Sequence, residues 1–179
     1  MIIAISGTPG SGKSTVAKAV AEKLKLKYYS AGGFMRDMAE KRGVSLMELT
    51  LQAETDESID RDIDEQTKKL SGDNFVVDSR LAFHFIPKSI KIFIKVDVKV
   101  AAKRVFRDIQ AKKRSTEQEF KTEKEVFNAL KRRLQSESAR YKKYYGVDYL
   151  DESNYDFVLD TANLTIEQSI QKVLDFLGK

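Results

Sequence analysis

Near the start of the chain, Ser6-Gly7-Thr8-Pro9-Gly10-Ser11-Gly12-Lys13-Ser14-Thr15 sets glycines, a lysine and adjacent hydroxyls at a spacing suited to holding phosphate. Gly7 and, after four intervening residues, Gly12-Lys13-Ser14 make the pattern of a P-loop. Backbone N–H groups of such a loop converge on phosphate oxygens at the positive end of the helix that follows. The glycines permit close approach where a Cβ would intrude, and Thr8, Pro9 and Ser11 fill the turn between them. Lys13 would reach the β- and γ-phosphates, the Ser14 hydroxyl would ligate Mg²⁺, and Thr15 would add a bond to the α-phosphate. The flanks also fit, with the apolar strand Ile2–Ser6 before the loop and an amphipathic helix after it. The stretch predicts binding of a nucleoside triphosphate with Mg²⁺.

Phosphoryl transfer spreads charge over equatorial oxygens, so a chain that performs it needs aimed cations. Arg133, Glu137 and Arg140 lie at spacings of four and three and share one helix face at about 100° per residue. A carboxylate between two guanidinium forks can orient both and still leave donors for phosphate. Arg104 and Arg107 stand on the preceding helix, across a polar break at Ser115–Thr116. Two basic helices so joined predict a lid, about residues 104–133, that closes over the triphosphate. The alternative is a solvated helical hairpin with ordinary ion pairs. A P-loop in the same domain favours the lid.

Asp78, ending the apolar run Phe75–Asp78, is placed to hold Mg²⁺ through its waters. Ser79 and Arg80 follow it, with no glutamate to activate water, as a hydrolase would want. The base-reading Asn-Lys-x-Asp segment of a GTPase is absent. These features point to transfer onto an acceptor, which must be held away from water. His84, the one histidine, sits among apolar neighbours and reads as structural, since an ionised acceptor needs no base.

The elements that must position these residues follow from the hydrophobic pattern. The 179 residues fit one domain of residues 1–179, without repeat or linker. Strands are expected at Ile2–Ser6, Lys27–Tyr29, Phe75–Asp78, Ile90–Val96 and Tyr155–Leu159. Helices are expected at about Lys13–Leu24, Gly33–Arg42, Leu46–Ala53, Asp56–Leu70, Val98–Lys112, Phe120–Tyr145 and Ile166–Leu177, the last opened by a Thr165/Gln168 capping box. Strands alternating with helices imply a parallel sheet covered on both faces, an α/β fold of three layers. No cysteine is present, which excludes disulfides and thiolate metal sites and suits a reducing cytoplasm. No apolar run is long enough to span a membrane, and the opening residues lack the positive start of a secretory leader. Residues 99–143 carry 15 Lys and Arg against 6 Asp and Glu, a polyanion site in waiting. That block lacks the interleaved aromatics of a nucleic-acid motif, so nucleotides rather than nucleic acid are the expected partners.

A more specific resemblance rests on GTPGSGKS, YYSAGGFMR, the IDRDID helix, VVDSR followed by IKIF, and SESARYKKYYGVDY followed by SNYDFVLDT. Together these resemble the cytidylate kinases of compact archaeal type, within the nucleoside monophosphate kinases. The resemblance implies a P-loop kinase fold with a five-stranded parallel sheet, a helical lid and a nucleotide-binding arm at about Gly33–Ser71. It implies transfer of the γ-phosphoryl group of Mg-ATP to CMP or dCMP; AMP, UMP or a small metabolite are the alternative acceptors. The size of the chain suits a monomer. An ATP-regulated nucleic-acid-binding module is the more distant alternative. By position, Arg36 would grip the acceptor phosphate, and Arg80 and Glu137 would lie at the acceptor nucleotide. Arg104 would face ATP from the lid, and Arg133 and Arg140 would bridge donor and acceptor phosphates. Bacterial members have Asp-Gly-Arg-Asp where this chain has Asp78-Ser79-Arg80-Leu81, a serine where Ala31 stands, and a longer arm. These departures bear on base recognition and leave phosphate chemistry intact. A cytosine reader should pair a carboxylate with a donor, and the arm offers Asp56, Asp60 and Arg61. Asp60, Asp64 and Arg61 could equally be solvated helix surface.

Overall fold

The computed structural model describes residues 1–44, 46–70, 72–111 and 120–179, and at residues 46 and 47 the backbone alone. The expected break at Ser115–Thr116 lies outside the described residues. Five parallel strands, β1 (Ile2–Gly7), β2 (Lys27–Ser30), β3 (Phe75–Asp78), β4 (Ile90–Lys95) and β5 (Phe157–Asp160), form one sheet in the order β2-β3-β1-β4-β5. β1 is central, and its apolar residues serve both layers: Ile3 and Ile5 face one side and Ala4 the other, all buried.

On the first side, Ile3, Ile5, Val76, Ile92 and Ile94 pack against Val16, Ala17, Val20 and Ala21 of α1 (Lys13–Lys23) and against Ile170, Val173 and Leu174 of α8 (Ile166–Phe176). Successive strand residues point to opposite faces, so Phe75, Val77 and Phe93 serve the other layer. There Ala82 and Phe83 of the short helix α5 (Ala82–Phe85) contribute, with Tyr149 and the last turns of α7 (Glu123–Tyr145). The three expected layers are present.

Two further apolar clusters are local. Helices α2 (Ala31–Arg42), α3 (Leu46–Gln52) and α4 (Glu57–Lys68) share Ala39, Leu49, Ala53, Ile59 and Ile63, with no residue of the sheet among them. Helix α6 (Val98–Gln110) packs on α7 through Ala102, Val105 and Val126. Boundaries differ from expectation where a capping side chain decides them. The Ser30 hydroxyl accepts from Gly33 N–H and starts α2 two residues early; the glycines at 32 and 33 had disguised that start. Thr122 and Glu125 form a capping box that delays α7 to Glu123. A 3-10 turn at Glu152–Asn154, nucleated by Asp151, holds back β5 to Phe157. Neither this turn nor α5 showed a sequence period long enough to read.

Gly7 closes β1 so tightly against β4 that a Cβ there would lie 2.1 Å from the Ile94 carbonyl oxygen. That atom is backbone and cannot turn aside. Gly7→Ala is therefore expected to cost about 3 kcal/mol as an overpacking change, read as a lowered urea midpoint with an unchanged slope.

Candidate phosphate-binding site

The loop between β1 and α1 is moored on both sides. Thr8 N–H donates to the Ile94 carbonyl at 3.1 Å, and the Thr8 hydroxyl accepts from Val96 N–H at 3.1 Å. On the other side the Thr161 hydroxyl donates to the Ser11 carbonyl at 3.1 Å. Gly12, at φ +84°, makes the left-handed step into α1. Pro9 and Ser11 are buried, and the Ser11 hydroxyl has no hydrogen-bond partner among the described residues. Ser14 and Thr15 are exposed in the first turn of α1.

Lys13, the first residue of α1, is buried, and its ammonium pairs with Asp78 at the end of β3. Burial pushes Lys13 well below the ordinary lysine value; Arg80 and Arg133 push the same way, and Glu137 opposes them. Anionic groups entering beside it would favour its charged form. Asp78 is itself held: the Tyr28 hydroxyl donates to its Oδ2 at 3.0 Å. The β2–β3 register pairs Ser30 with Asp78, and Tyr28 lies two residues back on the same face.

Arg80, just past β3, pairs with Glu137 of α7. Arg133 Nε donates to Glu137 Oε1 at 2.9 Å, and the buried Tyr149 hydroxyl lies 3.5 Å from Oε2. Burial opposes the charge on Glu137, yet Arg80, Arg133 and Arg140 outweigh it and hold its carboxyl below the usual range. Burial likewise opposes the charge of Arg80, and Glu137 leaves that guanidinium more firmly protonated than usual.

One turn on, Arg140 Nε donates to Asp60 Oδ2 at 2.7 Å, and its Nη1 donates to the Ser136 hydroxyl at 2.6 Å. Tyr145 donates to Asp64. Both carboxylates are buried on α4, so the solvated-surface alternative fails for them. Burial raises Asp60 despite Arg140, and raises Asp64 to about 7, with Tyr145 and Lys68 opposing and Asp60 and Glu65 reinforcing.

The structure thus gathers Lys13, Asp78, Arg80, Arg133, Glu137, Arg140 and Asp60. Four predicted residues lie elsewhere. Asp56 is exposed and caps α4, accepting from Ser58 N–H at 3.0 Å. Arg61 is exposed and paired with Glu57 at 2.6 Å, away from the buried face of α4 that carries Asp60. Arg36 is exposed in the second turn of α2. Arg104, expected in the lid, donates to the carbonyls of Thr161 at 2.6 Å, Ala162 at 3.1 Å and Leu164 at 3.4 Å. The first half of α6 is thereby fastened to the loop after β5. Sequence reasoning missed Tyr28, Tyr149 and Thr161; only the strand register could have shown that Tyr28 shares a face with Asp78.

The oxygen donors present suit Mg²⁺: a carboxylate at Asp78 and a hydroxyl at Ser14, near a loop built for phosphates. Among the described residues no three acidic or histidine side chains converge as a metal cage. A magnesium ion would therefore share its shell with bound phosphates.

Residues 2–163 match the model of the cytidylate kinase-like family. The chain belongs to that family. A cytidylate kinase of Methanosarcina mazei is 42% identical over 95% of this chain and 92% of that protein. One of Natronomonas pharaonis is 38% identical over 92% and 83%, and one of Sulfurisphaera tokodaii 36% over 99% and 97%. Among solved structures, a shikimate kinase of Bacteroides thetaiotaomicron superposes with a TM-score of 0.66 over 100% of this chain and 99% of that one, at 18% identity. A shikimate kinase of Aquifex aeolicus gives 0.61 over 99% and 96%, at 16% identity. At such identities these two speak for the fold alone, which this member of the cytidylate kinase-like family shares. No helix among the described residues is long and apolar enough to cross a membrane.

Asp64 gives a signed pH test. Its folded value of about 7 stands above the unfolded one of about 4, so the folded state keeps a proton that the unfolded state has lost. The resulting stability is complete below about pH 4 and is lost as pH rises through about 7. Asp64→Asn should remove this dependence: the stability of the native protein relative to the variant should fall by a few kcal/mol between pH 5 and pH 8, measured by urea unfolding at each pH. A constant difference would show that Asp64 does not hold the proton.

Proposed function

We propose that this chain transfers the γ-phosphoryl group of Mg-ATP to CMP and dCMP, giving CDP or dCDP and ADP. The observation that carries the reading is the convergence of Arg80, Arg133 and Arg140 on buried carboxylates beside the lysine of a phosphate-binding loop. A site for one triphosphate needs the loop and its lysine. The guanidinium groups, held past β3 and on α7, supply the charge for an acceptor that is itself a phosphate. Membership of the cytidylate kinase-like family supplies the acceptor base.

The loop amides and Lys13 would bind the β- and γ-phosphates, and the exposed first turn of α1 would receive the α-phosphate at Thr15. Ser14 directly and Asp78 through water would hold Mg²⁺, which when bound neutralises charge on the β- and γ-oxygens. Asp78 pairs with Lys13 and must share that carboxylate with the ion's hydration shell, a task for which Tyr28 fixes its orientation. Of Lys13, Arg80, Arg133 and Arg140, Arg133 has the most freedom, its side chain 39% exposed, and is suited to follow the transferring group. Arg80, nearly enclosed, and Glu137 would position the acceptor. Arg36, exposed on α2, would come to the acceptor phosphate by movement of the arm, about residues 33–71. The lid proposed for residues 104–133 is narrowed by the bonds of Arg104 to the part beyond it. Arg104 then shapes the β5–α8 loop beside the triphosphate.

The test is a coupled assay of ADP formation with Mg-ATP and each of CMP, dCMP, UMP, AMP and GMP. Turnover confined to CMP and dCMP is expected, and turnover with AMP alone would overturn the acceptor assignment. Arg133→Ala should lower kcat by about 100-fold or more, as loss of an aimed transition-state cation does, and leave ATP affinity by calorimetry nearly unchanged.

A further inference from the structure

Among the described residues, polar side chains join α4 and the segment just before it to α7. Glu54 lies 3.7 Å from Arg132, Asp60 bonds Arg140, and Asp64 accepts from Tyr145, so both partners advance together along the chain. The apolar cluster beneath α4 is made entirely of residues from α2, α3 and α4 and their immediate flanks, with none from α7. Such a junction differs from apolar packing in one respect. A guanidinium–carboxylate pair can be exchanged for a guanidinium–phosphate pair of the same geometry, whereas buried apolar surface has no such substitute.

We propose that Asp60 is a positioning residue that occupies the phosphate-binding edge of Arg140, and that an acceptor phosphate takes this arginine from it, releasing the arm from α7. The inference deepens the kinase reading and rests on it. Arg140 is 7% and Asp60 5% exposed at the side chain, so the pair is shielded and neither group can turn out to water in place. Arg140 Nε, at 2.7 Å, and Nη2, at 3.5 Å, both face Asp60, while Nη1 is held by Ser136. Asp60 thus covers the side-on edge, which offers Nε and Nη2 together, and a phosphate binding Arg140 side-on must take that edge from it. Exchange is favoured by the surroundings of the carboxylate. Burial makes its charge costly, and Glu137 and Glu57 lie close enough to oppose it. The neighbouring Asp64–Tyr145 contact lies one helical turn further along α4 and would part with it. Apparent affinity for a phosphate then carries the fraction of time for which Arg140 is free of Asp60.

The experiment uses the full chain and inorganic phosphate as probe, read by calorimetry, with CMP kinetics alongside. Asp60→Asn keeps the shape of the side chain and removes the competing charge. Phosphate should bind about tenfold tighter to the variant, and the KM for CMP should fall more than kcat changes. Unchanged or weaker phosphate binding overturns the proposal. So does unchanged phosphate binding joined to a lost preference for CMP over UMP, which would make Asp60 a base reader instead. Should the variant not fold, the native protein labelled with ¹⁵N-arginine answers the question. The Nε–H resonance of Arg140 should move on saturation with inorganic phosphate, and a resonance that stays in place overturns the exchange. Neither readout needs turnover, so a chain that fails to phosphorylate CMP would refute the kinase reading without deciding this one.

Discussion

A site for two phosphate-bearing molecules must crowd cations together, and crowded cations repel. At Lys13 the repulsion adds to the effect of burial: burial, then Arg80 and Arg133, push it below the ordinary lysine value, with Glu137 opposing. The fold answers it with three internal carboxylates, one for each region of the site. Asp78 takes Lys13, Glu137 takes Arg80 and Arg133, and Asp60 takes Arg140. These carboxylates come from β3, α7 and α4, so neutralising the cluster also ties three separate parts of the chain to one another. Buried ion pairs are poor sources of net stability, because desolvation offsets most of their attraction. Here they do something that an apolar isostere could not: they keep guanidinium forks charged, oriented and exchangeable.

The parallel sheet is what allows so few residues to converge. The phosphate loop follows β1, Asp78 ends β3 with Arg80 just past it, Val96 follows β4 and Thr161 follows β5. All lie at the carboxyl edge of the strands, the usual ligand edge of an open α/β sheet. Thr8 and Thr161 convert this common edge into a fixed loop geometry by bonding neighbouring strand ends across it. Arg104 continues the same logic one shell outward, gathering three carbonyls of the loop that carries Thr161.

What was legible in the sequence was what depends on local spacing. The loop motif, the buried strands and the shared face of Arg133, Glu137 and Arg140 are set by neighbours in the chain, and the structure has them as expected. What was not legible depends on register and on which of two helix faces turns inward. Asp60 and Arg61 are adjacent in sequence, yet about 100° apart on α4, and packing of Ile59 and Ile63 inward sends one to the junction and the other to water. Arg104 had the charge of a lid residue, but the carbonyls that claim it are supplied by residues 57 to 60 positions later in the chain. Tyr28 looked like an ordinary strand residue until β2 was paired with β3.

The same contrast between polar and apolar contacts locates where the molecule can yield. Helices α6 and α7 meet through Val105, Ala102 and Val126, with Phe106, Ile109 and Phe127 packed around them. Parting them would return several such side chains to water at about 1.5–3 kcal/mol for each large one. Helices α4 and α7 meet through charged and hydroxyl groups, which water or a phosphate can solvate in turn. The arm of α2, α3 and α4 carries its own apolar cluster, so it can move away from α7 without exposing that cluster. Relative motion of arm and α7 therefore costs ion pairs, whose loss an incoming anion offsets, and separation of α6 from α7 costs hydrophobic burial, for which no ligand compensates. An enzyme of this build opens at its polar seam, and the seam lies where the acceptor's charge would arrive.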